Sequence, residues 1–459
     1  MYSLIRLYNT YLYTMNRILI LIISFLCLNE SIAQVISGPM LGPVEYRDAT
    51  IWLEVAPQVT SVELQYRKAG TTNFLTKKFK GELGNEFNPL QMQIGGLDVN
   101  TDYEYRFILN GKLSNANGKF HTKDLWQWRK PPPDFSFLVG SCHYGNEPMY
   151  DRPGKPYGGD SSIFETMAKE KAAFMLWTGD EWYTREVDYF SKWGLWYRAQ
   201  FARAMPILQP FFKSMSQYAM WDDHDYGPND IGMNYALKEE SRKIWMSYWN
   251  NPSYGENNQG TYTTVNWGDI DLFLTDGRWW RSDDRILDSI GGKPNPDKVM
   301  FGKQQMDWLK NSLVFSNAPF KIIVMGSQAL NPISSFERFP SYPAEYYDLL
   351  DFIQRQKING VLFFTGDRHH SEIIKLDRPG TYPLYDITVS PLTSGTHSFS
   401  GAEKNNPYRV IGVDQKQNYG RISFSGNRGE RVMKVDLLGI KGEPLGTWSV
   451  SENDLKTPK

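Results

Sequence analysis

Tyr218-Ala219-Met220-Trp221-Asp222-Asp223-His224-Asp225 is an apolar stub that runs straight into three carboxylates and an imidazole, with Asn229-Asp230 close behind. Like charges packed this tightly repel and raise each other's pKa. A multivalent cation removes that penalty, and carboxylates and imidazole are what such cations bind. Taken alone, the segment leaves open a solvated acidic turn. As an architectural element it is a short β run with polar groups at its carboxyl end, and that pattern recurs along the chain.

Apolar β runs are predicted at 135–139, 173–177, 218–221, 271–274, 321–325 and 361–364. Amphipathic helical stretches lie between them at 162–171, 237–249, 303–315 and 344–357. Strands alternating with helices predict an α/β domain. Short strands at 383–389, 421–425 and 432–437 make its sheets mixed. The preceding region differs. Residues 50–55, 62–66 and 101–107 alternate apolar and polar with period two, and 36–124 is expected to be a small β-sandwich of fibronectin type III character. Pro131-Pro132-Pro133 breaks the chain, so 125–134 is expected to be a stiff linker and 135–450 the second domain.

At 459 residues the chain is long enough for two cores. Fifty basic against 51 acidic residues leave no field favouring nucleic acid or anionic lipid, so any pull on an anionic substrate is local. Met15-Asn16-Arg17, the apolar Ile18 to Leu28 and the small residues of Ser31-Ile32-Ala33 predict a cleaved export signal over 1–33, with Met15 as an alternative start. The apolar run is too short for a membrane span. Cys27 leaves with the signal, so Cys142 has no internal disulfide partner. It is either a buried inert thiol or a metal-binding thiolate.

Every polar cluster falls at the carboxyl end of an expected strand. These are Gly140-Ser141-Cys142-His143, Gly179-Asp180-Glu181-Trp182-Tyr183, Asp222 to Asp225, Asp276-Gly277-Arg278 with Arg281, and Gly366-Asp367-Arg368-His369-His370. Ligand sites of α/β sheets lie outside the carboxyl ends of strands. Each cluster alone reads as a bland turn; jointly they point to one metal site. Ferric iron accepts thiolate, phenolate and carboxylate together, whereas a neighbouring centre made mostly of Asp suits Ca²⁺, Mg²⁺ or Mn²⁺. Asp180, on a strand expected to be central, is the expected bridge between two ions. Arg278 and Arg281 share a loop with Asp276 and form either a surface ion pair or a forked phosphate clamp.

The ordered set Gly-Ser-Cys, Gly-Asp-x-x-Tyr, Trp-Asp-Asp-His-Asp with Asn-Asp, Asp-x-Arg-x-x-Arg and Gly-Asp-x-His resembles the alkaline phosphatase D (PhoD-like) family of metallophosphatases. The helix start Gly302-Lys303-Gln304-Gln305 and the overall layout share the likeness. The resemblance implies a calcineurin-like sandwich of two mixed sheets flanked by helices, with Fe³⁺ beside one or more Ca²⁺. It implies Cys142, Asp180, Tyr183, Asp223, Asp367 and His369 as metal ligands, with Asp367 on the harder ion and His369 on iron. Asp222 competes with Asp223 for the ligand role. His224, Asp180 and Arg278 are the implied catalytic residues, and Arg278, Arg281 and Asn229 the substrate contacts. Ser141, His143 and His370 are expected to shape the surroundings, and His121 and His397 to be structural.

The expected activity is that of an exported phosphoesterase of the alkaline phosphatase and phosphodiesterase type. It would hydrolyse phosphomonoesters, phosphodiesters or both with a metal-activated hydroxide, as a periplasmic or secreted monomer without a transmembrane segment. The alternative is a non-catalytic, calcium-stabilised protein that binds envelope glycans or phosphates. A redox iron enzyme is a further rival, since phenolate and thiolate also tune iron.

Overall fold

A computed structural model describes residues 34–334 and 336–458. The expected export signal lies outside the described residues. Two mixed sheets form the larger body. The six-stranded sheet runs Ser216–Met220, Phe174–Thr178, Phe135–Gly140, Asn418–Ser425, Val432–Gly439, Pro444–Ser451. Its first three strands are parallel and the rest antiparallel. The seven-stranded sheet runs Thr263–Trp267, Ile270–Leu274, Phe320–Val324, Val361–Thr365, Leu384–Thr388, Ser371–Leu376, Arg409–Val413. Its four parallel strands, from Ile270–Leu274 to Leu384–Thr388, are flanked by antiparallel ones. All six expected β runs are present, each within two residues of its expected ends.

Strand composition explains the layering. Phe174–Thr178 is buried along its whole length, as a strand covered on both faces must be. Phe174 and Leu176 join the core between the sheets, where the Phe137 and Phe364 rings lie 6.0 Å apart. Met175 and Trp177 point the other way, into an aromatic-rich cluster under the helices. Helix Gly302–Phe315 buries Met306, Leu309 and Leu313, one face of a 3.6-residue period. The Asp180 strand, expected to be central, has neighbours on both sides but lies next to the edge strand Ser216–Met220.

Residues 35–121 build a three-stranded and a four-stranded antiparallel sheet around their own core. Strand Val35–Val44, absent from the sequence expectation, packs on helix Lys192–Ala204 and strand Ser216–Met220. Ser37 Oγ donates to the Arg203 carbonyl at 2.6 Å, and Trp52 Nε1 to that of Ser247 at 2.8 Å. The buried Glu54 carboxylate accepts from Gln200 Nε2 at 2.7 Å and Tyr248 Oη at 2.9 Å. The segment expected to be a stiff linker also contacts the larger body, since Arg431 Nη2 donates to the Pro133 carbonyl at 2.8 Å. Beyond the expected boundary at 450, Leu455 is fully buried. Among the described residues no helix is long and apolar enough to cross a membrane.

Candidate metal centre

The loops leaving the carboxyl ends of both sheets meet over one cavity of about 520 Å³. Backbone hydrogen bonds stitch them together: Cys142 N–H to the Gly179 carbonyl at 3.2 Å, His143 N–H to that of Asp180 at 2.8 Å, and Gly366 N–H to that of Gly326 at 2.8 Å. Gly326 is required by space, because a Cβ there would stand 2.2 Å from Asp222 Cγ. Cys142, Asp180, Asp367 and His369 all hold left-handed φ values of 56 to 66°. Such conformations cost energy in L-residues and gather where a site over-determines the backbone.

Asp225 is the clasp. Its carboxylate accepts from the backbone N–H groups of Asp180 (2.7 Å), Glu181 (2.8 Å), Trp182 (3.1 Å) and Asp222 (2.9 Å). One buried side chain thus holds the loops after Phe174–Thr178 and Ser216–Met220 in register. The strand that opens the motif ends at Met220, and Asp223–Tyr226 forms a single helical turn.

Three expected ligands, Cys142, Asp180 and His369, bring donor atoms within 4.8 Å of one another; so do Asp180 and Asp223 with His224, expected to be catalytic, and Asp223 and Asp367 with Asp222, the alternative ligand. Asp180 and Asp223 each serve two of these groups. Tyr183 Oη lies 3.1 Å from Asp180 Oδ2 and 3.1 Å from His369 Nε2. His369 Nδ1 lies 2.6 Å from the Gly395 carbonyl, which only accepts, so Nδ1 carries the proton and Nε2 keeps its lone pair for the centre. Asp180 Oδ1, Asp222 Oδ2 and Asp223 Oδ1 are buried without a hydrogen-bond partner. Buried carboxylate oxygens without donors fit a cation site.

Electrostatics of the protein groups alone point the same way. Burial, then the neighbouring Cys142 and Asp223, pushes the Asp180 carboxyl well above its usual range. Burial, then Asp222 and Glu337, does the same to Asp367. Burial also lifts the Cys142 thiol to about 12 and Tyr183 well above 10. His369 falls to about 3 through burial and the adjacent His397. For Asp223, burial is outweighed by His224 and Arg278, and the carboxyl is depressed. A bound cation inverts the local balance and favours each anionic donor.

The two arginines are engaged in buried ion pairs. Arg278 and Arg281 are 0% and 1% exposed and lie one layer below the cavity wall. Arg278 Nε donates to Asp222 Oδ1 at 2.6 Å, and its two Nη groups hold the Glu337 carboxylate at 3.0 and 2.5 Å. His224, Asn229 and Asp230 do line the cavity, with the His224 ring packed 4.1 Å from that of Tyr183. Ser141 Oγ accepts from Cys142 Sγ at 3.5 Å and donates to the Val389 carbonyl, while His143 and His370 bond to Thr393 and Glu372. His121 sits at the surface of the β region beside Asp102. His397, expected to be structural only, stacks on His369 and reaches the cavity. Tyr157, Lys298 and Glu337 also line it. They stand in irregular loops with no motif to announce them.

A model of the PhoD-like phosphatase family matches residues 137–436, well over half of the chain. Alkaline phosphatase D of Bacillus subtilis (strain 168) is 26% identical over 334 residues, 61% of this chain and 53% of that protein. The match therefore spans about half the length of that relative. The solved structure of PhoD superposes with a TM-score of 0.71 at 18% identity, over 92% of this chain and 90% of that one, a likeness of fold.

Proposed function

The chain belongs to the PhoD-like phosphatase family, and from that premise we propose that it is an exported, metal-dependent phosphoesterase acting on phosphomonoesters, phosphodiesters or both. Its domains would be a fibronectin type III-like module over 36–124, a connecting segment over 125–134 and a metallophosphatase domain over 135–450. The observation that carries the reading is the gathering of Cys142, Asp180, Tyr183, Asp223, Asp367 and His369 beneath and around one cavity, with orphaned carboxylate oxygens among them.

Cys142, Asp180, Tyr183 and His369 would hold Fe³⁺, because thiolate and phenolate suit a small trivalent ion. Asp180, Asp223 and Asp367, with Asp222 alongside, would hold Ca²⁺ or another hard divalent ion. Bound there, the ions would lower the pKa of water and offset the charge of a phosphoryl group. The chain's own residues do the rest. His369 Nδ1 keeps its proton on the Gly395 carbonyl and presents Nε2 inward. His224 lines the cavity with Nε2 3.9 Å from Asp223 Oδ2, placed to carry a proton towards a leaving oxygen. Asn229 offers a neutral donor at the wall. Asp225 keeps both ligand loops together.

The test is hydrolysis of an aryl phosphate monoester and a bis-aryl phosphodiester by the purified chain before and after treatment with a calcium chelator. Turnover that disappears on chelation, returns with calcium and leaves iron content unchanged is expected. Undiminished turnover with calcium shown to be absent would overturn the mixed-metal assignment. Retained calcium with no turnover on either ester would return the chain to the binding-protein alternative.

A further inference from the structure

We propose that Arg278 and Arg281 form an anion subsite occupied from within the chain by Glu337, and that Glu337 sets how tightly this site takes a phosphoryl dianion. The inference deepens the phosphoesterase reading and rests on it.

The geometry is that of a forked anion contact. Glu337 precedes the short helix Phe339–Ser341 and lines the cavity, while the two arginines behind it do not. Its Oε1 accepts from Arg278 Nη1 at 3.0 Å and from Arg281 Nη2 at 2.7 Å; its Oε2 accepts from Arg278 Nη2 at 2.5 Å. Two carboxylate oxygens therefore stand where two phosphoryl oxygens would stand in a forked arginine contact.

Arg281 supplies the second observation. Buried to 1% exposure, it keeps Nε and Nη1 without a partner. A carboxylate is planar and has only two oxygens, both already engaged. A tetrahedral phosphoryl group brings further acceptors on the same side, and these could satisfy the donors that Glu337 leaves unmet. Asp230, Asp284 and Asp288 line the same cavity, and its lining cations are already paired, Lys298 with Asp288 and Arg368 with Glu403, so an incoming anion needs a further cation. Arg278 is also paired with Asp222 and Arg281 with Asp284, so Glu337 is an additional carboxylate on two guanidiniums and the one that spans both. An anion that must displace an internal carboxylate binds with its affinity reduced by the fraction of time the fork is free.

The experiment titrates inorganic phosphate into the metal-replete full chain by calorimetry. It compares the natural sequence with Glu337→Gln, Asp288→Asn and the double variant Glu337→Gln/Arg281→Gln. Glu337→Gln is expected to tighten phosphate binding about tenfold, the effect of freeing a fork held about nine-tenths of the time. It should lower the phosphate concentration that half-inhibits hydrolysis in the same proportion. Asp288→Asn removes a cavity charge that does not touch the arginines and should change affinity less than about threefold, as a screened charge does. The double variant should lose the gain.

Phosphate binding as weak as, or weaker than, that of the natural chain in a folded Glu337→Gln protein would make Glu337 a strut instead. An equal gain in Asp288→Asn would reduce the effect to general charge. Should the amide variant not fold, Glu337→Asp, one methylene short of spanning both arginines, should show the same tightening, and its absence overturns the proposal. Because phosphate binding is read apart from turnover, a chain that hydrolyses no ester refutes the enzymatic reading. Turnover with an unresponsive Glu337 refutes only this inference.

Discussion

Arg278 Nε lies 2.6 Å from Asp222 Oδ1 in a fully buried ion pair. The contact separates the roles of two adjacent aspartates. Asp222 gives one oxygen to the arginine and leaves Oδ2 without a hydrogen bond, while Asp223 Oδ2 takes the Asp230 N–H at 2.8 Å and Oδ1, without a hydrogen bond, lies 3.7 Å from Arg278 Nη2. Asp222, Asp223 and Asp367 each bring one donor atom within 4.8 Å of the others. Removing the guanidinium strands the buried Asp222 and leaves Glu337 to Arg281 alone. Arg278→Ala is expected to cost on the order of 3–5 kcal/mol, the usual result of breaking a buried pair on one side. Arg278→Lys should recover only part, because one ammonium cannot hold both partners. Denaturant midpoints decide: an unchanged midpoint in both variants would leave the pair without structural weight.

Tyr183→Phe removes one oxygen, the one lying 3.1 Å from both Asp180 and His369, and keeps the ring. If that oxygen binds iron, the purified protein has a visible charge-transfer band and the variant loses it. Cys142→Ser replaces a soft anionic donor with a hydroxyl that does not ionise, and iron content should drop with it. Elemental analysis and an absorption spectrum check both. A colourless iron-loaded protein, or a Ser variant with full iron, argues against these ligands.

Asp225→Asn should loosen two loops together. An amide has one accepting oxygen where four backbone N–H groups now converge on a carboxylate. Leaving even one or two of these buried donors unmet costs on the order of 2–4 kcal/mol. Hydrolysis and metal retention are expected to fall along with the thermal midpoint. A variant that matches the natural chain in all three measurements would show the clasp to be dispensable.

Glu54 gives the stability a pH dependence. Burial raises its carboxyl from 4.5 to about 7, against the opposing pull of Gln200, Tyr248 and Arg203. The folded chain therefore keeps a proton that the unfolded chain has already released. Stability present below pH 4.5 is lost as pH rises towards 7 and stays lost above it. The full effect is at most about 3 kcal/mol. Glu54→Gln retains an accepting oxygen and cannot titrate. Between about pH 5 and about pH 8, its thermal midpoint should fall less than that of the natural chain at saturating calcium. Parallel curves for the two proteins would remove Glu54 as the cause.

How far the sequence reached follows from the range of each signal. Hydrophobic runs are local, so the strands carrying Cys142, Asp180, Asp223, Arg278 and Asp367 could be placed within two residues, and with them the principle that their carboxyl ends meet. Donor chemistry is local too: a thiol, a phenol and a crowd of carboxylates read as a metal site before any fold was known. Tertiary structure alone decided which side chains face one another. Arg278 and Glu337 are 59 residues apart and belong to different loops, so no spacing announces that one blocks the other from the cavity. The left-handed backbone at Cys142, Asp180, Asp367 and His369 likewise belongs to the folded loops, since it is uncommon for any residue other than glycine. Strand Val35–Val44 and the burial of Glu54 arise the same way, from a docking surface that exists only once both bodies have folded. Composition and period determined the strands and the kind of ligand; convergence through space determined which oxygen, which nitrogen and which charge stands free.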